Sequence, residues 1–133
     1  MPRFVLHEHD AIRKGKHWDL RFEIPNSKNW ASFVFNKFPP LKPAERVYVP
    51  RAPDHSEVNA LFVGEIKEGE YGAGKLTEVD SGDCDIHKYT NSHIVIDFKG
   101  KKIKGVYHFV STSVFGKKNR YSKKVYAFFK GKL

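Results

Sequence analysis

An imidazole and a carboxylate stand two residues apart in a segment of strict apolar–polar alternation. Residues 17–24 read HWDLRFEI, and a β-strand sends alternate side chains to opposite faces. One face would therefore carry His17, Asp19 and Arg21, and the other an apolar row. A solvent-facing strand more often shows Lys, Thr and Ser at such positions. The pattern predicts a strand that presents a chemically active row of side chains.

His17 and Asp19 can bind one cation together because they share a strand face. A second histidine would complete a two-histidine, one-carboxylate site, which leaves coordination positions open for water or substrate. His7 and His9, on the preceding predicted strand, are the nearest candidates, and the spacing leaves both open. This donor set suits Mn²⁺ or Fe²⁺ better than a closed zinc site. Arg21 would lie beside any anion on the metal, since guanidinium groups bind phosphate in a bidentate manner.

Basic residues outnumber acidic ones in this chain of 133 residues. Lys and Arg total 24 and Asp and Glu 15, so the formal net charge is +9. This excess indicates a polyanionic partner, with nucleic acid the first candidate, unless the charge serves only solubility. A single cysteine excludes an internal disulfide framework, and no apolar run approaches the roughly 20 residues of a membrane span. We expect a cytoplasmic monomer without a membrane partner.

Short apolar or alternating segments recur along the chain between Pro, Gly and Asn breakers, and no linker divides them. Only residues 53–61 favour a short helix, with Asp54 or Ser56 as its N-cap. Many short strands in a small chain predict one mainly β domain over residues 1–133, an antiparallel barrel or sandwich. The predicted strands span residues 3–9, 17–24, 30–35, 46–49, 61–66, 74–79, 93–98, 103–110 and 124–129.

Other polar residues favour structural roles. Residues 80–87 read DSGDCDIH, and the polar positions around Gly82 are more typical of a hairpin turn than of a second metal site. Cys84 has no evident base beside it, so we expect an unreactive thiol. His93 and His108 lie within apolar segments and are interpreted as barrel residues rather than ligands.

Four ordered stretches resemble the 3′-phosphoesterase module of bacterial DNA ligase D and its stand-alone archaeal and bacterial relatives. The most specific is EGEYGAG at 68–74, and the similarity continues more loosely to the last predicted strand. The other stretches are His9-Asp10-Ala11 with a following arginine, HWDLRFE at 17–23, Trp30-Ala31 leading to Lys37 and a proline turn, and Asp54-His55 ahead of the glycine-rich motif.

The resemblance implies a small closed antiparallel β-barrel, with one or two short helices, that acts on 3′ ends of nucleic acid in DNA repair by end joining. It implies removal of a 3′-terminal ribonucleotide and then of a 3′-phosphate, with Mn²⁺ or another divalent transition metal. DNA or RNA-tipped DNA ends are the implied substrates, alongside a separate ligase or polymerase. The implied metal ligands are His9, His17 and Asp19, and the implied phosphate-binding and catalytic residues are Arg21, Lys37, Arg46, His55 and Asp54.

Two basic segments are interpreted as contacts for the phosphate backbone. The second also contains an aromatic residue, which favours base stacking. The first comprises Arg13, Lys14 and Lys16, and the second comprises Lys117, Lys118 and Arg120.

Departures from the family pattern motivate a second hypothesis. Pro53 stands where the family usually has Glu, and Asn59 stands where it usually has Tyr. The alternative is a module of the same fold that binds 3′ ends with weak or no catalysis. A third hypothesis is a cupin-like Fe²⁺ oxygenase whose iron is bound by His17, Asp19 and a late histidine such as His93.

Overall fold

Nine β-strands and one short helix make up the part of the chain that the computed structural model describes, residues 1–112 and 124–133. Within these residues, no helix has the length and hydropathy needed to cross a bilayer. The strands are β1 (Arg3–Ala11), β2 (Gly15–Glu23), β3 (Trp30–Phe35), β4 (Arg46–His55), β5 (Gly64–Ile66), β6 (Gly74–Tyr89), β7 (His93–Lys99), β8 (Lys104–Ser111) and β9 (Val125–Lys130), and the helix α1 (Glu57–Leu61) lies between β4 and β5.

Eight of these strands close into an antiparallel barrel. Their order is β1-β2-β3-β4-β9-β8-β7-β6, and β6 pairs back with β1. The three-residue β5 pairs with the start of β6 and lies outside the ring. Closure satisfies the backbone groups that an open sheet would leave unpaired at its edges. The predicted closed β-barrel is confirmed.

The barrel interior is apolar and largely aromatic. Alternation along β1 and β2 places Phe4, Leu6, Leu20 and Phe22 on the inner face, where all four are fully buried. Rings from β3, β7, β8 and β9 fill the remaining interior. The polar row of β2 therefore lies on the outer face of the barrel wall.

The predicted helix forms, although it is shorter than the segment that favoured it. Ser56 is the N-cap, and its hydroxyl accepts a hydrogen bond from the backbone N–H of Asn59 at 3.3 Å. The strand predicted over 61–66 is correspondingly wrong at its start, because Leu61 ends the helix and β5 begins only at Gly64.

The helix covers part of the outer face beside the polar row. Ala60 packs in a small cluster with Val5 and Trp30. Arg3 of β1 forms an ion pair with Glu57 of α1, and its guanidinium lies 5.3 Å from the Trp30 ring centre. These contacts hold the helix on the barrel wall next to β2.

The hairpin turn predicted around residues 80–82 is wrong, because β6 continues through this segment. The Asp80 carboxylate accepts hydrogen bonds from four backbone N–H groups at 2.8–3.0 Å, three of them in the loop after β7. Gly82 lies so close to β7 that a Cβ would overlap the Lys99 carbonyl. The polar residues anchor a neighbouring loop and allow close strand contact rather than reversing the chain.

Candidate metal and phosphate site

His9, His17 and Asp19 meet on the outer face of β1 and β2. The antiparallel register sets His9 opposite His17 and His7 opposite Asp19. One ligating atom from each of the three residues lies within 4.8 Å of the other two. Asp19 Oδ1 is 3.6 Å from His17 Nε2, and Asp19 Oδ2 is 3.9 Å from His9 Nδ1. These gaps are too long for hydrogen bonds, yet one cation at about 2.1 Å from each atom would bridge them.

The glycine-rich segment after β5 selects the tautomer of His9. The Nε2 atom of this ring lies 2.8 Å from the Gly72 carbonyl oxygen. A carbonyl only accepts hydrogen bonds, so Nε2 carries the proton and Nδ1 offers its lone pair on the side of Asp19. Metal-binding histidines are commonly held in this way by a backbone carbonyl. Gly72 has φ +77°, a conformation that glycine adopts without a steric penalty.

The second histidine of the trio is kept neutral by its surroundings. Burial lowers the pKa of His17, and this effect outweighs the opposite influence of Asp19. The neighbouring His9 lowers it further. Because metals bind the neutral imidazole, His17 is in its binding-competent form at neutral pH. The donor set therefore fits a divalent transition metal.

Arg21 is buried beside the trio, with most of its donors occupied. Nε donates to Ser32 Oγ at 3.2 Å, and one terminal nitrogen donates to Asp19 Oδ2 at 3.3 Å. The other terminal nitrogen donates to the Ala60 carbonyl at 3.2 Å and to His7 Nδ1 at 3.3 Å. Only one of the five guanidinium N–H groups is left without an acceptor among the described residues. Arg21 therefore positions Asp19, with little of its surface left to clamp phosphate.

His7 lies on the same strand face as His9 and contacts Arg21 instead of the trio. It is fully buried, and burial followed by the Arg21 charge lowers its pKa to about 4. Its Nε2 atom has no hydrogen-bond partner among the described residues. Of the two histidines that the sequence leaves open, the geometry groups His9 with His17 and Asp19.

His55 ends β4 at the border of the site. Burial, and then the charge of Arg21, lower the pKa of its half-buried ring, and its Nδ1 atom has no partner in the described part of the chain. Asp54 pairs with Arg51 at 3.1 Å. The structure thus brings His55 to the electrostatic surroundings of the trio, whereas the Asp54 carboxylate is held by a neighbouring arginine.

Lys37 and Arg46 are not joined to the trio by any hydrogen bond or ion pair in the described residues. Lys37 is exposed just after β3. Arg46 is exposed at the start of β4, where its guanidinium lies 4.9 Å from the Phe129 ring centre. A residue that binds phosphate need not contact the metal donors, so the implied roles of Lys37 and Arg46 stay predictions.

The first basic segment forms the turn between β1 and β2. Arg13 and Lys14 are exposed in the turn, and the Lys14 charge is close enough to lower the pKa of His17. Lys16 forms an ion pair with Glu8 at 3.2 Å. The second basic segment, with Lys117, Lys118 and Arg120, lies outside the described residues.

The sequence analysis did not predict two groups of the site, the Ser32 hydroxyl and the Gly72 carbonyl. Ser32 is buried and accepts from Arg21, and its one sequence signal is a hydroxyl inside the otherwise apolar strand WASFVF. The Gly72 carbonyl has no sequence signal, because every residue has a backbone carbonyl. Its role depends on where the glycine-rich segment folds.

The late histidines do not join the site. His93 Nε2 lies 2.8 Å from His108 Nδ1, and His108 Nε2 lies 2.6 Å from the Lys132 carbonyl oxygen. These contacts agree with the interpretation of both histidines as structural. They also leave the oxygenase hypothesis without its third ligand, since His93 is not grouped with His17 and Asp19.

A second set of metal-binding residue types lies on the exposed face of β6 and β7. The ligating atoms of Asp85, His87 and Asp97 are within 4.8 Å of one another, but Lys99 lies 3.6 and 3.8 Å from the two carboxylates. The Lys99 ammonium group therefore already offsets part of the negative charge of this cluster. Cys84 is buried nearby, and burial raises its pKa to about 12, as expected of an unreactive thiol.

Comparison with known proteins identifies a matching family and several relatives of this chain. Residues 7–111 match the family described as the DNA Ligase D 3′-phosphoesterase domain. The multifunctional non-homologous end joining protein LigD of Pseudomonas aeruginosa is 31% identical over 125 residues, covering 90% of this chain and 14% of the relative. LigD of Mycolicibacterium smegmatis is 31% identical over 121 residues, covering 83% of this chain and 15% of the relative.

LigD of Mycobacterium tuberculosis is 32% identical over 115 residues, covering 83% of this chain and 14% of the relative. This chain thus spans only a small part of each multifunctional relative. The matched residues contain β1 from His7 onward, β2 and the glycine-rich segment, the three elements that assemble the trio. The chain belongs to the DNA ligase D 3′-phosphoesterase domain family.

Proposed function

We propose that this chain is a divalent-metal-dependent phosphoesterase that processes the 3′ ends of nucleic acid during end joining. Its substrates are a 3′-terminal ribonucleotide and a 3′-phosphate on DNA, and its metal is Mn²⁺ or another divalent transition metal. One observation carries the proposal: His9, His17 and Asp19 bring two imidazole nitrogens and a carboxylate oxygen within 4.8 Å of one another, inside the residues that match the family.

The trio would hold the ion through His9 Nδ1, His17 Nε2 and an oxygen of Asp19. When bound, the ion supplies Lewis-acid stabilisation of the charge that develops on phosphate oxygens. Arg21 holds the Asp19 carboxylate in place and adds a buried positive charge next to it. Gly72 keeps the His9 lone pair available. This preorganised arrangement does not need to reorient during the reaction.

In the 3′-phosphatase reaction, the bond between phosphorus and O3′ breaks and one water is consumed. The products are a 3′-hydroxyl and inorganic phosphate. His55 is the candidate proton donor to O3′, although its lowered pKa makes it neutral at pH 7 in the free protein. A bound phosphate dianion favours the protonated ring, so substrate binding prepares His55 as an acid.

The proposal is tested with DNA primers that end in a 3′-phosphate or in one 3′-ribonucleotide. The purified protein is incubated with Mn²⁺, Mg²⁺, Zn²⁺ or EDTA, and the products are separated by electrophoresis. We expect metal-dependent conversion of both ends, and no change in a matched primer that carries only a 5′-phosphate. If neither 3′ end is processed with any metal across pH 5–9, the catalytic proposal is wrong.

The occupation of four of the five Arg21 N–H groups by protein acceptors favours a second candidate, a 3′-end-binding module without turnover. Such a module would bind 3′-phosphate ends more tightly than 3′-hydroxyl ends, and the bound end would remain intact. The primer assay separates the two candidates when it is combined with a binding measurement on the same oligonucleotides.

The turn between β1 and β2 is expected to set part of the salt dependence of binding. Neutralising Arg13 and Lys14 together as glutamines should reduce the slope of log affinity against log salt by about 1.4 for single-stranded DNA, since each phosphate contact contributes about 0.7. The measurement is fluorescence anisotropy of a labelled oligonucleotide over a salt series.

A matched control removes the same charge elsewhere. Lys101 and Lys102 are exposed in the loop after β7, where only their backbone N–H groups bond to Asp80. Replacing both with glutamine should leave the slope near the wild-type value. Equal slope changes in the two double variants would show that the turn has no specific contact with the backbone.

A further inference from the structure

Tyr71 is an aromatic side chain with no side-chain hydrogen bond, ring contact or place in the core among the described residues. It is 96% exposed, whereas Tyr107 and Tyr126 of the same chain are fully buried. It lies in the glycine-rich segment between β5 and β6, immediately before the glycine whose carbonyl holds His9. Beside a candidate phosphate site, an exposed aromatic ring offers a flat apolar face on which a planar ligand group can stack.

The backbone that carries this ring is held at several points. Glu70 N–H donates to the Lys67 carbonyl at 3.1 Å, and Ala73 N–H donates to the Glu70 carbonyl at 3.2 Å. The Ala73 carbonyl accepts from Ile12 N–H at 2.9 Å, which ties the segment to the turn between β1 and β2. The attachment point of the Tyr71 ring is therefore fixed relative to the His9 ring.

A second exposed apolar side chain belongs to Ile12, the residue that donates this hydrogen bond to Ala73. Ile12 is 58% exposed and begins the turn that continues into Arg13 and Lys14. Ile12 and Tyr71, which we call the apolar pair, thus lie on the two joined segments that also carry the His9 contact and the exposed cations Arg13 and Lys14. A ligand that fits this region has a phosphate for the trio, a flat apolar group for the apolar pair and further negative charge for the turn between β1 and β2.

We propose that the apolar pair stacks against the 3′-terminal nucleobase of an unpaired strand end, next to the phosphate held at the trio. The inference rests on the proposed function and specifies its substrate: a frayed or single-stranded 3′ end with an intact terminal base. Every nucleobase offers a π-face, so the contact is independent of base identity. Two side chains are far too small for a protein interface, which buries about 1,200 Å² or more.

The test uses a short single-stranded oligonucleotide with 2-aminopurine as its 3′-terminal base. Its 3′ end carries a methylenephosphonate, which has no scissile P–O3′ bond, and diamagnetic Mg²⁺ or Zn²⁺ is present. Stacking on the ring should quench the probe. The Tyr71→Ala variant should lose most of this quench and bind on the order of 10-fold more weakly, and Tyr71→Phe should retain both.

Two controls isolate the base contact. An oligonucleotide with an abasic 3′-terminal sugar should bind wild type and Tyr71→Ala equally well. Tyr48→Ala, which removes another exposed tyrosine from β4, should behave as wild type. Failure of wild type to quench the terminal probe, retention of the quench in Tyr71→Ala, or an equal loss of affinity for the abasic end would each overturn the inference.

The outcomes separate this inference from the proposed function. Quenching that depends on Tyr71, in a protein that processes neither 3′ end, would leave the base contact standing and reject the phosphoesterase. Normal processing of the 3′ ends, with no dependence of the quench on Tyr71, would support the phosphoesterase and reject the base contact. Self-association that is lost in Tyr71→Ala, measured by sedimentation velocity, would assign the apolar pair to a second copy of the chain and overturn the base contact.

Discussion

The Asp19→Asn variant should lose at least about 100-fold in metal-dependent 3′-phosphate release and in Mn²⁺ affinity, because removing even an outer partner of a metal ligand typically costs 10–100-fold. The introduced amide would keep an oxygen for the Arg21 hydrogen bond, so the buried guanidinium retains an acceptor. What disappears is the negative charge. Two imidazole rings would then face a cation beside the uncompensated charge of Arg21.

Two measurements test this: initial rates of 3′-phosphate release over a range of Mn²⁺ concentrations, and the Mn²⁺ dissociation constant from isothermal titration calorimetry. Circular dichroism establishes that the variant is folded at the assay temperature. Asp97→Asn is the matched control, because it removes the same charge from the exposed cluster of β6 and β7, which plays no part in the proposed site. Wild-type Mn²⁺ affinity in Asp19→Asn would show that the trio is not the metal site.

The Asp80→Asn variant should unfold with a free energy lower by about 2–6 kcal/mol, since two N–H groups would lose their acceptor and each such loss costs about 1–3 kcal/mol. The carboxylate accepts four backbone hydrogen bonds, one of them from the buried Ile103 N–H. An amide would offer one oxygen and turn its NH₂ group toward two of these donors. A loss of this size is a large part of a typical domain stability of about 5–15 kcal/mol.

The same residue should make stability depend on acid pH. Burial raises the pKa of Asp80, but the hydrogen bonds from Ile103, Lys101, Lys102 and Ser81 outweigh burial and lower it below its ordinary value of 3.8. A lowered folded-state pKa contributes stability that is fully present above the unfolded-state pKa and is lost as pH falls through the folded-state value. Wild type should therefore lose stability below about pH 4, and Asp80→Asn should lose less over the same interval.

Urea unfolding of both proteins between pH 2.5 and pH 7 measures these effects. Asp83→Asn is the control, since Asp83 is an exposed residue of the same strand. A neutral-pH stability of Asp80→Asn equal to that of Asp83→Asn would contradict the anchoring role of Asp80. So would an identical acid dependence in wild type and Asp80→Asn.

The fold was accessible from sequence because its strongest signals are local. Period-two alternation over 17–24 predicts which side chains of β2 share a face, and the structure places Leu20 and Phe22 in the core and the polar row outside. Strand β3 occupies the predicted residues. The boundaries that failed most were those of β4, which continues past Pro50 to His55, and of β5 and β6, where polar and glycine residues have tertiary uses that resemble turn signals.

The site was accessible only in part. His17 and Asp19 are neighbours on one strand, so their shared face follows from alternation alone. Choosing His9 rather than His7 requires the contacts of both side chains, because the two histidines share a face of β1. The roles implied for Lys37 and Arg46 stay predictions, because a position in the chain does not determine how close an exposed side chain lies to a site.

By itself, the sequence determined the strand period, the apolar interior, the basic charge and the residue types available for a metal. These are properties of composition and of neighbours along one strand. Only the tertiary structure decided that Arg21 is enclosed by protein acceptors, that the Gly72 carbonyl selects the His9 tautomer and that Asp80 anchors a distant loop. Each of these depends on contacts between segments far apart in sequence, and such contacts exist only once the barrel has closed in its particular register.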